Sequence, residues 1–498
     1  MMLLEMAAQT VPDRLAIGPL DGGLSYAQLY EQAGALATRL RADGVERVLY
    51  TDVSTPILPV ALFGSSWAGA AFVPISYRLA DDRLRALVAR QAPALLLHGA
   101  DGDRTAGLDG ITQRATSDVV ASAATGSETA AEADWSYDGE DIAVLLHTSG
   151  TSGDPKVAVL RQRHLVSYVF GSVEFMGAGE EEATLVSVPP YHIAGVAAML
   201  TAVYGGRRLV QLPTFEAAEW VRIARTERIT HAMVVPTMMA RILEVLDADG
   251  GGLPEMRTLS YGGGRMPIPV IEQALKLLPN VGFVNAYGLT ETSSSITVLG
   301  PDDHREAIAS DDTDVRGRLG SVGQALPSVE LSIRDPLGEP VGVGERGEVW
   351  VRGEQVSGEY GSSSTVDGEG WFATKDAGRI DEAGYLYLEG RIDDVIVRGG
   401  ENLSPGEIED VLLQHRSIRD AVVVGIPDTE WGEVVAAVVV ANDGATIDVD
   451  EVRQWVASQL RSSRAPVIVE VRDELPYTDT GKVLRRVLRP ELIERYVT

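Results

Sequence analysis

The sequence predicts an α/β fold: a large N-terminal domain of parallel α/β sheets with a small β-barrel-like subdomain, followed by a small α+β C-terminal domain. Three observations carry this. Strand-like and helix-like periods alternate through residues 24–290, the pattern of strands joined by helical crossovers. From about residue 320 to 390 short alternating runs separated by Gly turns replace them, which reads as antiparallel β. After Arg391 the order strand, helix, strand returns for about a hundred residues. The domains are therefore set at 1–392 and 393–498.

The elements follow in order. LSYAQLYEQAGALATRL (24–40) has helical spacing, with Ser25 as N-cap, Gln28 three residues on and Gly44 at its end. VERVLYTDV reads as a strand, PVALFGSSWAGAAFVPI as a small-residue helix running into a strand, and ADDRLRALVARQAPALLLHG as helix then strand. Residues 100–138 are poor in large apolar groups and rich in Ala, Ser, Thr and Asp, the composition of a surface connection. The alternation resumes with helices at FEAAEWVRIARTER, MMARILEVLDAD and VIEQALKLL and strands at ITHAMVV and NVGFVNAYG. The runs VELSIRD, GEVWVRG, GWFAT and YLYLEGR make the antiparallel region.

Composition narrows the function. Lys and Arg number 43 against 72 Asp and Glu, a net charge of −29, which disfavours nucleic acid and anionic membrane surfaces as partners. With no cysteine, disulfides, thiolate metal sites and a cysteine-bound intermediate are excluded, and any thiol must come from another molecule. The seven histidines are scattered, unlike a histidine metal site. The N-terminal stretch lacks a basic region, and no apolar run reaches the ~18 residues of a membrane span, so a cytoplasmic location is expected.

Behind the apolar run IAVLL lies HTSGTSGDPKV (147–157). Glycines let backbone N–H groups approach an anion, hydroxyls donate further hydrogen bonds, and a lysine adds charge, so Thr148, Ser149, Gly150, Thr151, Ser152, Gly153 and Lys156 are candidate phosphate ligands. Such clusters also make ordinary surface loops. Seven more strings accompany it: PPYHIAG (189–195), YGGG (261–264), NAYGLTE (285–291), GSVGQALPSVE (320–330), GWFATKDAG (370–378), GRIDDVIVRGGENLSPGEIE (390–409) and PYTDTGK (476–482). In this order they resemble the adenylate-forming superfamily of acyl-CoA synthetases, nonribosomal peptide adenylation domains and luciferases, most closely the acyl-CoA ligases. GVGERG (342–347) formally matches a dinucleotide fingerprint, but no helix pattern follows it, and a nicotinamide oxidoreductase is set aside.

The resemblance implies an AMP-forming acid–thiol ligase. A carboxylate is a poor electrophile; attack on the α-phosphorus of ATP gives it an adenylate leaving group, which the thiol of coenzyme A then displaces. It implies roles residue by residue. Residues Thr148 to Gly153 and Lys156 would hold the β- and γ-phosphates, Glu291 with Thr148 would hold Mg²⁺, and Thr290 would bond the α-phosphate. Adenine would lie between Gly262, Gly263 and Gly264 and the strand Asn285, Ala286, Tyr287 and Gly288. Asp376 with Arg391 would bind the ribose, and Lys482 would bridge carboxylate and α-phosphate. His192 would gate the acyl tunnel; Asp393 would be a hinge; Arg398, Gly399 and Gly400 would line the pantetheine passage. An apolar acyl pocket is expected from Val196, Met199, Met233, Val235, Met238 and Tyr261, suited to a fatty, aromatic or polycyclic acid. A homodimer is compatible with all of this.

Two departures fall on ATP-handling elements. Val157 stands where the family has glycine after the loop lysine, and Lys375 where it has the glycine before the ribose-binding aspartate. If the position of Val157 requires positive φ, a β-branched residue there is costly, while Lys375 close to the nucleotide would either add charge or crowd the site. A half-enzyme that only thioesterifies a preformed acyl-adenylate and a non-catalytic acyl- or adenylate-binding relative therefore stand beside the full ligase as alternatives.

Overall fold

The computed structural model describes residues 2–119, 135–148, 156–361, 363–478 and 483–497. Two large sheets, of nine and eight strands, dominate the first 300 residues. In the nine-stranded sheet Gly282–Leu289, Thr258–Gly262, His231–Val234, Ala183–Val186, Arg208–Gln211 and Leu15–Ile17 run parallel in that spatial order. Ser294–Leu299 joins antiparallel beside Gly282–Leu289. The eight-stranded sheet places Ile142–Thr148 between Ala71–Pro74 and Lys156–Arg161, the latter antiparallel to it.

Helices sandwiched between the two sheets explain an unusual feature of the sequence. Ile57–Ala68 and Ile193–Gly205 are apolar or small all round and almost wholly buried, as a helix with no solvent face must be. One core cluster joins them to residues of both sheets, such as Leu209 in one and Phe72 in the other. Small residues permit the close approach: a Cβ on Gly64 would lie 2.9 Å from the carbonyl oxygen of Ala33 on the neighbouring helix. That neighbour, Tyr26–Ala42, starts with the expected capping box, Ser25 and Gln28 each satisfying the other's backbone N–H.

The antiparallel region forms an open four-stranded sheet in the order Glu330–Arg334, Gly347–Arg352, Phe372–Ile380, Leu386–Arg391. GVGERG is the turn entering Gly347–Arg352, with no helix after it. A fourth sheet takes all its strands from residues after Val395, and the helix Pro405–Leu413 rests between it and the strand Leu386–Arg391. Across this junction Ser404 Oγ donates to the Glu389 carbonyl at 2.7 Å and Arg265 pairs with Asp410.

The stretch read as a surface connection contains one further strand, Ile111–Ala115, a parallel edge partner of Ala94–His98. Its mostly polar residues conceal it in the sequence, because only one flank of an edge strand is paired. Residues 120–134 of that stretch lie outside the described residues. Among the described residues no helix is long and apolar enough to cross a membrane.

Candidate active site

The site is built at the carboxyl ends of parallel strands, where open α/β sheets leave a crevice for ligands. Gly262 ends Thr258–Gly262 beside Ala286: a Cβ at this position would meet the Ala286 carbonyl oxygen at 2.3 Å. The next residue, Gly263, has φ +77°. Only glycine satisfies both demands, which leaves a flat backbone platform beside the strand carrying Tyr287.

Tyr287 does more than offer a ring face. Its hydroxyl donates to Asp376 Oδ2 at 2.6 Å, while Arg391 Nη1 donates to Asp376 Oδ1 at 3.0 Å and to the Thr374 carbonyl at 2.9 Å. Asp376 and Arg391 are direct partners on adjacent antiparallel strands. Burial, reinforced by the Asp376 charge, pushes the Tyr287 hydroxyl well above its ordinary pKa, so it stays a donor. Asn285 turns elsewhere, its Nδ2 donating to the Ser321 carbonyl at 3.0 Å.

Thr148 and Lys156 face each other at the mouth of the hydroxyl-rich loop, and Thr148 Oγ1 donates to the Lys156 carbonyl at 3.4 Å. Ser149, Gly150, Thr151, Ser152 and Gly153 lie outside the described residues, as does Lys482. Thr290 and Glu291 follow the Tyr287 strand in a 3-10 turn. Glu291 is 8% exposed, and its Oε1 accepts a hydrogen bond from the Tyr360 hydroxyl. Lys156 Nζ sits 5.3 Å from the centroid of the same ring. Tyr360 is a site residue that motif reading missed: 69 residues separate it from Glu291, and the two meet only through sheet pairing.

Behind that turn, Ser293 and Ser294 hold φ values of +58° and +119°, rare for residues with a Cβ. Gln355, fully buried, fixes them: its Nε2 donates to the carbonyls of Thr292 and Ser295, and its own carbonyl accepts from Ser293 Oγ. Gln355 was likewise not legible from local sequence.

A small apolar cavity of ≈ 50 Å³ opens beside these strands. Gly263, Ala286, Gly288, Met233, Val235 and Met238 line it, with His192 at the start of helix Ile193–Gly205. Val196 and Met199 are fully buried in the inter-sheet core instead, and Tyr261 is turned to hydrogen bond His304 Nε2 at 2.8 Å. None of these three is among the cavity-lining residues. Arg398, Gly399 and Gly400 have their partners among the residues after Val395: Arg398 lies over the Trp431 ring and donates to the Ser463 carbonyl, and Gly399 and Gly400 make the positive-φ turn of a hairpin. Asp393 lies exposed in the turn Ile392–Asp394.

The two departures resolve differently. Val157 lies in a regular strand opposite His147 with no positive φ, so its β-branch is an advantage there. Lys375 does adopt φ +65°, but its side chain is over half exposed and its Nζ is held by Glu348 at 3.2 Å, while Asp376 keeps its own partners.

A family model described as AMP-binding enzyme matches residues 4–361, and one described as AMP-binding enzyme C-terminal domain matches residues 407–482. The chain belongs to the AMP-binding enzymes. It is 31% identical to a feruloyl-CoA synthase of Amycolatopsis sp, over 97% of this chain and 96% of the relative. It is 31% identical to an indoleacetate–CoA ligase of Aromatoleum aromaticum over the same shares. A 2-succinylbenzoate–CoA ligase of Bacillus licheniformis is also 31% identical, over 97% of this chain and 98% of the relative. Its fold matches the Bacillus subtilis o-succinylbenzoate CoA synthetase in complex with its acyl-adenylate intermediate, at TM-score 0.84 and 26% identity over 98% of this chain and 97% of that one. It equally matches ATP-bound MatB from Rhodopseudomonas palustris, at TM-score 0.85 and 26% identity over 99% of each chain. This AMP-binding enzyme is an AMP-forming acid–thiol ligase of the adenylate-forming superfamily, making an acyl-adenylate and then a thioester.

Proposed function

We propose that the acid is a compact aromatic carboxylic acid, activated with ATP and Mg²⁺ and transferred to coenzyme A. The observation that carries this reading is the apolar cavity, lined by Met233, Val235 and Met238 together with the backbone of Gly263, Ala286 and Gly288. Methionine packs adaptably against aromatic faces, so this lining suits a ring. Three relatives at 31% identity are named for acids that each contain an aromatic ring.

The adenine would lie on the Gly262–Gly263 platform against Tyr287, with the ribose hydroxyls donating to the lone pairs that Asp376 keeps beyond Tyr287 and Arg391. The acid's ring would occupy the space between His192 and Met238, its carboxylate directed toward Thr290. Lys156 and the loop preceding it would draw the pyrophosphate away, and Lys482 would stabilise charge gathering between carboxylate and α-phosphate. Among the described residues no group of three or more His, Asp or Glu could hold a metal alone. Magnesium fits nonetheless, since it commonly takes one or two protein oxygens and completes its shell with nucleotide phosphates and water; Glu291 and Thr148 offer such oxygens. It would supply charge neutralisation on the departing pyrophosphate. Rotation of residues 393–498 about Asp393 would then bring Arg398, Gly399 and Gly400 to the adenylate for attack by the thiol.

A panel of aromatic, long-chain and short-chain acids, each with ATP and coenzyme A and read by mass spectrometry of the thioesters, tests the assignment. Preferential turnover of aromatic acids is expected; preference for long aliphatic chains would overturn it.

A further inference from the structure

We propose that Tyr360 is a positioning residue of the adenylation half-reaction, holding Glu291 in the orientation that a nucleotide-bound divalent cation needs and fixing Lys156 beside it. The inference rests on the ligase reading above.

The backbone fixes Tyr360 before its side chain acts. Glu359 and Tyr360 pair with Val159 and Ala158, on the strand leaving the phosphate loop, and the Gly361 N–H donates to the Val157 carbonyl at 3.2 Å. Arg161 reinforces this pairing, gripping both carboxylate oxygens of Glu359 at 2.9 Å through Nε and Nη2. On the other side the Glu291 carbonyl accepts from the N–H groups of Ser357 and Gly358, at 2.8 and 3.3 Å. One short segment is thus fastened to both the phosphate-loop strand and the Thr290–Thr292 turn.

From that anchor the phenol reaches Glu291 Oε1, and the ring face meets Lys156 Nζ. Among the described residues Oε2 has no such partner, so the carboxylate is held by one oxygen with the other left for a cation. A ligand carboxylate oriented by a neighbouring hydrogen bond loses about 10–100-fold in metal affinity when that neighbour is removed. The ring adds an attraction for the ammonium.

The substitution Tyr360→Phe separates these contributions, because it deletes the hydroxyl and keeps the ring. In the full chain with ATP, manganese binding followed by electron paramagnetic resonance should weaken about tenfold, and the magnesium requirement of pyrophosphate–ATP exchange should rise in step. Tyr360→Leu should in addition raise the KM for ATP. Thioester formation from a supplied acyl-adenylate, a step without pyrophosphate departure, should fall far less. Unchanged manganese binding in Tyr360→Phe, or equal loss in both half-reactions, would overturn the proposal. Failure of the unsubstituted chain to bind manganese–ATP at all would overturn the ligase reading together with it.

Discussion

Tyr287 and Asp376, the residues expected to hold the base and the sugar of one nucleotide, are themselves joined by a 2.6 Å hydrogen bond from phenol to carboxylate. Arg391 occupies the other carboxylate oxygen, so the residues expected to bind the ribose form an ordered triad. Preorganisation of this kind reduces the ordering cost of binding.

Breaking the triad should therefore raise the KM for ATP. Asp376→Ala removes acceptors from a charged hydrogen-bond network and should raise it on the order of 10–100-fold, with Tyr287→Phe raising it several-fold. Pyrophosphate–ATP exchange at varied ATP checks both, and an unchanged KM in Asp376→Ala would remove Asp376 from the site.

Stability should fall as pH drops from neutrality. His164 is buried beside the strand Lys156–Arg161, and its Nδ1 accepts the Arg161 N–H, which requires a neutral ring. Burial, aided by the Arg163 charge, lowers its pKa from 6.5 to about 4. The unfolded chain thus binds this proton more tightly than the folded one. The stabilisation is complete above pH ~6.5 and is lost progressively as pH falls toward ~4, on the order of 3 kcal/mol for this imidazole. Thermal melts from pH 7.5 to 5 should show Tm falling, with a shallower slope in His164→Gln.

Lys375→Gly tests whether the second departure matters to ATP. Relief of the φ +65° strain, about 1 kcal/mol, is offset by loss of the exposed Glu348 pair and by the greater freedom of glycine in the unfolded chain. Tm and adenylation rate should therefore change little. A tenfold gain in pyrophosphate exchange would show that lysine impairs the nucleotide site.

The proposed hinge at Asp393 gives an asymmetric expectation. Asp393→Pro restricts the exposed turn between the small sheet and the C-terminal strands, so thioester formation should suffer more than adenylate formation. Single-turnover assays of the two steps should diverge; equal loss would argue against rotation about this turn.

Much of the fold was legible because its signals are local. The Ser25–Gln28 capping box and the glycines at 262–263 each leave a mark within a few residues. Lys375 shows what local reading misses: residue type gave the departure but not the pairing with Glu348 that turns the ammonium aside. Tyr360 and Gln355 were illegible for a different reason. Each acts on a residue more than 60 positions away, through contacts that exist only once the sheets have formed. Val196, Met199 and Tyr261 were drawn into the expected pocket by hydrophobicity, which cannot tell a tunnel wall from the core behind it.

Acid-dependent exchange of labelled pyrophosphate into ATP tests the central claim most directly. With the full chain and a panel of aromatic carboxylic acids, the account predicts robust exchange for at least one acid, abolished by Lys482→Ala. Absence of exchange throughout, alongside thioester formation from the corresponding synthetic adenylates, would contradict it.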